Sequence, residues 1–216
     1  MAFFNFLRLL MKSDVSILIV DDHSAIRLAV KYILSSEGFT KIMEAENGID
    51  AINLSNVNKY DVAILDLDLP KIDGLKVVRR MKAKNADLKI LVLSSMASDV
   101  YLTRCYAAGV NGFMRKDDDI DTLPSIIINL LKGFSYFPGM NNKDRLRKIR
   151  PVDEMLTCLS DRELTVFNGL IMGKSNLTIA DELCLSNKTV STYKRRIFDK
   201  LGVSNIAQLI DFHKTL

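Results

Sequence analysis

The fold is decided by two stretches in which an apolar run meets acidic residues, ILIVDDH at 17–23 and VAILDLDLP at 62–70. Continuous apolar runs of this length are typical of strands that are buried on both faces of a sheet. Outward from these stretches, similar runs predict five strands, at 16–20, 41–45, 61–65, 88–93 and 111–114. Stretches with helical periodicity follow them, near 25–34, 48–57, 74–84, 98–108 and 123–131. This alternation predicts an α/β domain whose parallel sheet is covered by helices on both faces.

The pattern stops near Phe137, and the sequence that follows has a different composition. Residues 138–154 contain one Gly, two Pro, two adjacent Asn and a basic cluster without a sustained apolar period, so we interpret them as part of a linker. Beyond this segment the pattern is purely helical. The predicted organisation is an N-terminal extension at 1–13, an α/β domain at 14–134, a linker at 135–154 and a helical domain at 155–216.

Capping residues divide the helical domain into four short helices. Ser160 and Glu163 have the spacing of a capping box that opens the first helix, and Gly173 is expected to close it. The predicted starts of the other three helices are Ser175, Ser186 and Ser204, and Gly202 is the predicted end of the third. Four short helices in about 60 residues predict a small all-α bundle with a helix-turn-helix in its middle.

The composition excludes several classes of protein. The chain has 216 residues, of which 48% are hydrophobic and 26% charged, so a disordered or fibrous protein is excluded. Three cysteines without metal-ligand spacing fit a reducing cytosol, and no apolar run has the length of a membrane span. We therefore expect a cytoplasmic protein without membrane partners. Arg8 interrupts the apolar start MAFFNFLRLL, so we expect either translation from Met11 or an added apolar helix, and not a signal peptide.

Three carboxylates follow strands that we expect to be neighbours. Asp21 and Asp22 come directly after the first strand, and Asp66 comes directly after the third. Right-handed crossovers place these strands side by side, so the carboxylates converge at the carboxyl edge of the sheet and suit Mg²⁺. Ser94 and Lys116 reach the same edge from the fourth and fifth strands. A carboxylate beside a hydroxyl, a cation and a Mg²⁺ site predicts phosphoryl transfer to Asp66.

A hydrolase is an alternative interpretation of the same residues. Asp66–Leu67–Asp68 also matches the DxD motif of haloacid-dehalogenase-type phosphohydrolases, in which the second Asp acts as general acid and base. That motif normally follows the first strand of a larger domain, whereas here it follows the third strand. The hydrolase hypothesis also leaves Asp21 and Asp22 without a role, and a three-residue motif is weak evidence.

The motifs of the first domain, in this order and spacing, resemble the receiver domain of two-component response regulators. They are IVDDH at 19–23, ILDLDLPKIDG at 64–74, LVLSS at 91–95 and GFMRK at 112–116. The resemblance implies a (βα)5 flavodoxin-like fold in which Asp66 accepts a phosphoryl group from a histidine kinase or a phosphotransfer protein. It implies Mg²⁺ held by Asp21, Asp22, Asp66 and the carbonyl of Asp68. It also implies that Lys116 contacts the phosphoryl oxygens, and that Ser94 and Phe113 form the hydroxyl and aromatic parts of the switch.

The net charge of +4 comes from the last third of the chain, because acidic and basic residues balance through residue 137. Residues 187–201, NKTVSTYKRRIFDKL, form an amphipathic helical pattern with Val190, Ile197 and Leu201 on the inner stripe. The opposite face offers donors of mixed length and little acid: Lys188, Ser191, Thr192, Arg195 and Asp199. This chemistry is typical of a helix that enters the major groove of DNA, although a basic face is also common on solvated surfaces.

Residues 159–205 resemble the LuxR-type helix-turn-helix, and with the receiver motifs they are similar to the NarL/FixJ class, most of all to its virulence and fimbrial regulators. The resemblance implies double-stranded DNA as partner, with base contacts from Ser191, Thr192 and Arg195. It implies phosphate contacts from five further residues: Asn187, Lys188, Thr189, Tyr193 and Lys200. Leu177 and Thr178 depart from the Lys–Glu pair that relatives favour.

The sequence therefore predicts a transcription regulator, not an enzyme, that is switched by phosphorylation of Asp66. We expect phosphorylation to draw Ser94 inward and to let Phe113 follow. The change at the surface is expected to promote a homodimer on operator DNA, to free the helix at 187–201 from the receiver, or both. RNA polymerase is a further candidate partner. The alternative is a regulator of the same fold that responds to partner binding without phosphorylation; its acidic residues would then be dispensable for regulation.

Overall fold

The computed structural model describes residues 12–95, 99–137, 156 and 158–214. The hypotheses about residues 1–10, and most of the predicted linker at 135–154, lie outside the described residues. The chain divides into two compact units. No helix among the described residues is long and apolar enough to cross a membrane.

The first unit is built on a five-stranded sheet, and all pairings between its strands are parallel. The strand order is β2-β1-β3-β4-β5, which places the first and third strands side by side as the crossover argument predicts. Each predicted strand is present within one residue of its expected bounds. The strands are β1 (Ser16–Val20), β2 (Lys41–Ala45), β3 (Val62–Leu65), β4 (Lys89–Ser94) and β5 (Gly112–Arg115).

Five α-helices follow the five strands in alternation. Their starts have local causes: the side chain of Asn47 accepts hydrogen bonds from the backbone N–H groups of Ile49 and Asp50, and that of Asp73 accepts one from Lys76. A short 3₁₀ turn at Ile120–Thr122 leads into the fifth helix. The helices are α1 (Ser24–Ser36), α2 (Gly48–Val57), α3 (Gly74–Lys84), α4 (Asp99–Ala107) and α5 (Leu123–Leu131).

The strand register brings the carboxyl ends of four strands to one edge. Val20 lies opposite Leu65, Leu65 lies opposite Val92, and Ser94 lies opposite Arg115. The residues that follow these positions therefore meet at the same edge, as expected for a parallel sheet. The sheet interior is apolar, and the residues of β3 are buried throughout. This core is the rigid support for the polar groups at its edge.

The outer edge of β5 is covered by the chain that follows α5. The backbone N–H of Phe113 donates to the carbonyl oxygen of Tyr136 at 2.6 Å, and the N–H of Tyr136 donates to the carbonyl oxygen of Asn111 at 3.1 Å. The rings of Tyr106 and Phe137 meet edge to face with centroids 5.9 Å apart. Tyr136 and Phe137 belong to the segment that the sequence assigned to the start of the linker, and here they extend the first unit beyond α5.

The second unit contains α6 (Asp161–Ile171), α7 (Asn176–Glu182), α8 (Asn187–Leu201) and α9 (Ile206–Lys214). The predicted capping box is present, since Ser160 and Glu163 exchange side-chain and backbone hydrogen bonds. Ser175 and Ser186 cap α7 and α8, and Gly202 ends α8 in the left-handed conformation with φ 67°. These local predictions are confirmed. They were possible because a cap depends on residues only three or four positions apart.

The predicted start of the last helix is wrong by one position. Ser204 does not cap α9; the side-chain oxygen of Asn205 accepts the backbone N–H of Gln208 at 2.9 Å. The backbone N–H of Ser204 instead donates to the side chain of Gln208 at 2.7 Å. Ser and Asn are both good caps, so the sequence alone did not distinguish them.

The inner stripe of α8 packs against the other helices of the second unit. Val190, Ile197 and Leu201 are buried, as predicted from their spacing. Gly169 of α6 lies so close to Ile179 of α7 that a Cβ atom there would stand 2.9 Å from the isoleucine side chain. This close approach lets α6 and α7 pack directly against each other.

Candidate functional site

The first candidate site is the acidic pocket, which we define as Asp21, Asp22, Asp66 and Lys116. The end of β1 supplies Asp21 and Asp22, the end of β3 supplies Asp66, and the end of β5 supplies Lys116. Asp66 is anchored by its backbone N–H, which donates to the carbonyl oxygen of Val20 at 2.8 Å. Asp21 and Asp66 each expose only 2% of their surface.

Lys116 joins the two buried carboxylates of the acidic pocket. Its Nζ lies 2.7 Å from Asp21 Oδ2 and 2.7 Å from Asp66 Oδ2. Burial lowers the pKa of Lys116, but its interactions with the two carboxylates outweigh that effect, so the pKa is raised and the cation is kept. The pocket therefore holds a fixed positive charge beside the predicted acceptor oxygen.

The pKa of Asp66 is raised above its ordinary value. Burial is the largest cause, Lys116 opposes it, and the nearby Asp21 carboxylate raises the pKa further. The carboxylates of Asp21 and Asp66 both contact Lys116, so they are close enough for each to disfavour the ionised form of the other. Additional positive charge in the pocket therefore favours the ionised form of both. This electrostatic situation is typical of a site that recruits a cation.

The donor set of the pocket suits a divalent metal ion. One ligand atom from each of Asp21, Asp22, His23 and Asp66 lies within 4.8 Å of the others. Carboxylate oxygens are the ligands that Mg²⁺ prefers, so the residues present fit the ion implied by the receiver resemblance. Sequence reasoning missed His23, although it directly follows Asp22: its Nδ1 lies 2.8 Å from Asp22 Oδ1 and 3.2 Å from Asp21 Oδ1.

A buried arginine of α1 positions the loop that carries Asp21. Arg27 Nη1 donates to the carbonyl oxygen of Asp21 at 2.8 Å, and Nη2 donates to Glu46 Oε1 at 3.2 Å. On the other side of the pocket, the backbone N–H of Asp68 donates to Asp66 Oδ1 at 3.2 Å. Both contacts orient the predicted ligands through the backbone. The signal for Arg27 in the sequence was weak, because an arginine on a helix is usually exposed.

Ser94 and Phe113, the predicted switch residues, lie on adjacent strands and are both buried. Phe113 pairs with Val92, and Ser94 pairs with the residue two positions after Phe113. Ser94 exposes none of its surface, and its carbonyl oxygen accepts the backbone N–H of Lys116 at 3.0 Å. The two residues are thus near neighbours at the same end of the sheet.

The second candidate site is the reading face, which we define as the exposed polar side of α8. Lys188, Ser191 and Arg195 are exposed, and Thr192 is half-buried. Ser186 caps the helix by accepting the backbone N–H of Thr189 at 3.0 Å, so the first turn is well formed. An exposed first turn with basic and hydroxyl side chains is suited to base edges and phosphates.

The predicted phosphate-contacting residues differ in their surroundings. Asn187 and Lys188 stand exposed in the first turn of α8, with Thr189 half-buried beside them. Tyr193 is half-buried farther along the helix. Lys200 Nζ instead binds Glu163 Oε2 at 2.6 Å and donates to the carbonyl oxygen of Cys158 at 3.0 Å. Lys200 is therefore tied to α6, whereas the first-turn residues remain accessible.

Two family models match the chain. Residues 17–128, more than half of the chain, match the model described as the response regulator receiver domain. Residues 157–213 match the model described as bacterial regulatory proteins of the luxR family. The first match contains the acidic pocket and the second contains the reading face.

Curated relatives match over nearly the whole chain. A Pseudomonas aeruginosa protein named as a transcriptional regulator is 43% identical over 201 residues, which are 91% of this chain and 95% of the relative. The virulence-factor transcription regulator BvgA of Bordetella pertussis is 36% identical over 204 residues, which are 92% of this chain and 96% of the relative. Both matches therefore extend over the two units of this chain.

Solved structures share the fold. Salmonella enterica RcsB, bound to a promoter in the presence of the phosphomimetic BeF3-, superposes with a TM-score of 0.59 at 24% identity. The match covers 94% of this chain and 99% of that chain. It supports the observed arrangement of a five-stranded receiver-type sheet followed by a helical unit.

Proposed function

This chain belongs to the response regulators that join a receiver domain to a LuxR-type DNA-binding domain, and from that premise we propose that phosphoryl transfer to Asp66 switches its binding to DNA. The family makes the chain a DNA-binding transcription regulator of a two-component system. The observation that carries the assignment of Asp66 is the position of Lys116 Nζ, 2.7 Å from both Asp21 and Asp66. The hydrolase interpretation is set aside, because the match to the regulator family accounts for Asp21 and Asp22 as well.

Asp66 is the nucleophile in this proposal. One of its oxygens attacks the phosphorus of a phosphohistidine on a sensor kinase or a phosphotransfer protein. As the bond from oxygen to phosphorus forms, the bond from phosphorus to the imidazole nitrogen breaks, and its electron pair remains on that nitrogen. The backbone N–H of Asp68 holds Oδ1 of Asp66, which keeps the carboxylate oriented during the transfer.

The other pocket residues stabilise the charge that the phosphoryl group brings. Asp21, Asp22, Asp66 and the carbonyl of Asp68 would hold Mg²⁺, which supplies positive charge against the phosphoryl oxygens. Lys116 gives up part of its contact with Asp66 and pairs with a phosphoryl oxygen instead. Arg27 keeps the Asp21 loop in place through its bond to the Asp21 carbonyl.

The proposed switch uses two residues at the same end of the sheet. A phosphoryl oxygen attracts the Ser94 hydroxyl, and Phe113, on the adjacent strand, occupies the space that opens. The resulting change at the surface of the receiver promotes a homodimer that places two reading faces on DNA half-sites about one helical turn apart. Ser191, Thr192 and Arg195 contact bases, and the neighbouring polar and basic residues contact phosphates.

Intact mass spectrometry after incubation with acetyl phosphate and Mg²⁺ tests the acceptor. We expect one added phosphoryl group on the wild-type chain and none on Asp66→Asn. Asp87→Asn is the matched control, because Asp87 is an exposed carboxylate just before the start of β4, at the edge of the sheet opposite the acidic pocket, and its removal should leave the adduct intact. An adduct on Asp66→Asn would contradict the assignment of the acceptor.

DNA binding by wild type, Asp66→Asn and Asp66→Ala tests the switch. Affinity for a selected operator should rise when the wild-type chain is phosphorylated and should not respond in Asp66→Asn. Equal binding and equal regulation by wild type and Asp66→Ala would instead support the regulator that acts without phosphorylation.

A further inference from the structure

The reading face carries two neighbouring hydroxyl groups whose hydrogen bonds differ. Thr192 Oγ1 donates its proton to the carbonyl oxygen of Lys188 at 3.0 Å, one turn earlier on α8. Ser191 Oγ accepts a hydrogen bond from Asn176 Nδ2 at 3.2 Å, and Asn176 is the first residue of α7. Thr192 therefore donates its hydroxyl proton within its own helix. Ser191 acts as the acceptor in its contact with Asn176, so that contact does not involve its hydroxyl proton.

The chemistry of the Asn176–Ser191 pair determines what Ser191 can offer. An amide nitrogen only donates, and a hydroxyl has one proton and two acceptor positions. While Asn176 occupies an acceptor position of Ser191, the hydroxyl proton remains available for an acceptor outside the protein. The hydroxyl proton of Thr192 is already donated to the carbonyl oxygen of Lys188, so its methyl group is the part of the side chain that can distinguish one base from another.

Both members of the pair stand at well-defined places in the second unit. Ser175, directly before Asn176, caps α7 by accepting the backbone N–H of Thr178 at 3.1 Å. Ser191 lies in the second turn of α8, the helix that Ser186 caps. The contact thus joins two capped helices at the exposed edge between them.

We propose that Asn176, which lies outside α8, is a positioning residue for DNA sequence recognition: it holds Ser191 as a hydrogen-bond donor toward a base edge. The partner of Ser191 is then a major-groove acceptor, namely N7 or O6 of guanine, N7 of adenine or O4 of thymine. Thr192 contacts the methyl group of a neighbouring thymine. The inference rests on the proposed placement of α8 in the major groove.

Selection of binding sites from a random pool of DNA duplexes tests the proposal. The full chain is treated with acetyl phosphate and Mg²⁺, and the base preferences of wild type and variants are compared by sequencing. Asn176→Asp is the decisive variant, because a carboxylate only accepts and therefore takes the Ser191 proton. At one position of the site, we expect the preference to change from acceptor bases to the amino groups of adenine or cytosine.

Further variants measure the size of the effect. Asn176→Ala should lower discrimination at that position by about fivefold, and Ser191→Ala should remove it. Lys174→Gln is the matched control two residues before Asn176, because it changes the charge by the same amount as Asn176→Asp. Lys174 Nζ is held by Glu182 at 2.8 Å, so the base preference should not change. Thermal melting confirms that each variant is folded.

Thr192 provides an independent arm of the same experiment. Thr192→Val keeps the methyl group and loses a hydroxyl that was already occupied, so the selected sequences should stay the same. Thr192→Ser loses the methyl group, and its position should lose the preference for thymine.

The outcomes separate the inference from the function on which it rests. A wild-type chain that selects no sequence would overturn the proposed DNA recognition and the inference with it. A wild-type chain that selects a sequence, together with Asn176→Asp selecting the same one, would overturn the inference alone. An altered preference in Lys174→Gln would also overturn it, because the effect would then be one of charge and not of hydrogen-bond direction.

Discussion

The acidic pocket and the reading face differ in how their charges are compensated. In the pocket, Asp21 and Asp66 are buried and paired with Lys116 at 2.7 Å. On the reading face, Lys188 and Arg195 are exposed, and no ion pair to either is present among the described residues. A buried charge is stable only with a compensating partner inside the protein, whereas an exposed cation is solvated by water and stays available to a polyanion. The charges of the pocket are therefore compensated within the protein, whereas the cations of the reading face are exposed to solvent.

The two sites also differ in how the chain builds them. The pocket brings together residues from the ends of β1, β3 and β5, up to 95 positions apart in the sequence. The reading face is one helix of 15 residues. A substitution in the pocket therefore affects several strands at once, whereas one on the reading face acts locally.

Removal of the shared cation should have the largest effect. In Lys116→Ala the phosphoryl oxygens lose their fixed positive charge, so we expect phosphorylation by acetyl phosphate to slow by about 100-fold. The loss also leaves the two carboxylates without their internal cation, so Mg²⁺ should bind more tightly. A quench-flow assay gives the rate of phosphorylation, and calorimetric titration gives the affinity for Mg²⁺. An unchanged rate would show that the pocket is not preorganised by Lys116.

Glu163 combines a feature of each site. It is a buried carboxylate of α6, and it forms an ion pair with Lys200, an exposed cation of α8. Glu163→Gln should lower the free energy of unfolding by about 2 kcal/mol, since it weakens both the capping box and the ion pair. Chemical denaturation at pH 7 measures the loss. Lys174→Gln is the control, because it removes a pair between two partly exposed groups and should cost well under 1 kcal/mol.

The pH dependence of the same residue has a definite sign. Burial raises the pKa of Glu163, but hydrogen bonds from Lys200 and from Ser160 outweigh it, so the pKa lies below its ordinary value of 4.5. The carboxylate therefore contributes stability above about pH 4.5, and that contribution is lost as the pH falls through the depressed value. The stability difference between wild type and Glu163→Gln should shrink below pH 4.5. A difference that grows on acidification would contradict the assignment.

On the reading face, two exposed cations should behave differently. Arg195→Ala should lower affinity for the selected DNA site by about tenfold and relax the preference at one base pair. Lys188→Ala should weaken binding to all sequences by a smaller factor and reduce the salt slope of binding by about 1. Fluorescence anisotropy at several salt concentrations distinguishes the two. An equal loss of specificity in both variants would contradict the division into base and phosphate contacts.

The smallest effect is expected at the turn between α7 and α8. Cys184 is exposed and has a φ of 50°, in the region that favours glycine. Cys184→Gly should raise the free energy of unfolding by about 0.5–1 kcal/mol, because it relieves backbone strain without loss of buried surface. Thermal melting measures the gain, and Cys158→Gly is the control at an exposed cysteine without this backbone conformation. A destabilised Cys184→Gly would show that the side chain has a packing role.

Much of this molecule could be predicted because its signals are local. Apolar runs, helical periodicity and caps depend on residues within a few positions of each other, so five strands and the limits of α2, α3 and α5 agree with expectation. The meeting of Asp21, Asp66 and Lys116 was also predictable, since parallel strands with right-handed crossovers bring their carboxyl ends to one edge. Ser204 shows the limit, because two adjacent good caps cannot be ranked from their types.

By itself the sequence determined the two units, the adjacency of the first and third strands and the polar residues at the carboxyl edge of the sheet. Only the tertiary structure decided which side chains touch: Lys116 with both carboxylates, Arg27 with the Asp21 carbonyl, and Asn176 with Ser191. Periodicity specifies the face on which a residue lies, with an uncertainty of several ångströms. A hydrogen bond needs its atoms placed to within a few tenths of an ångström, and that precision comes from the register and packing of elements far apart in the chain.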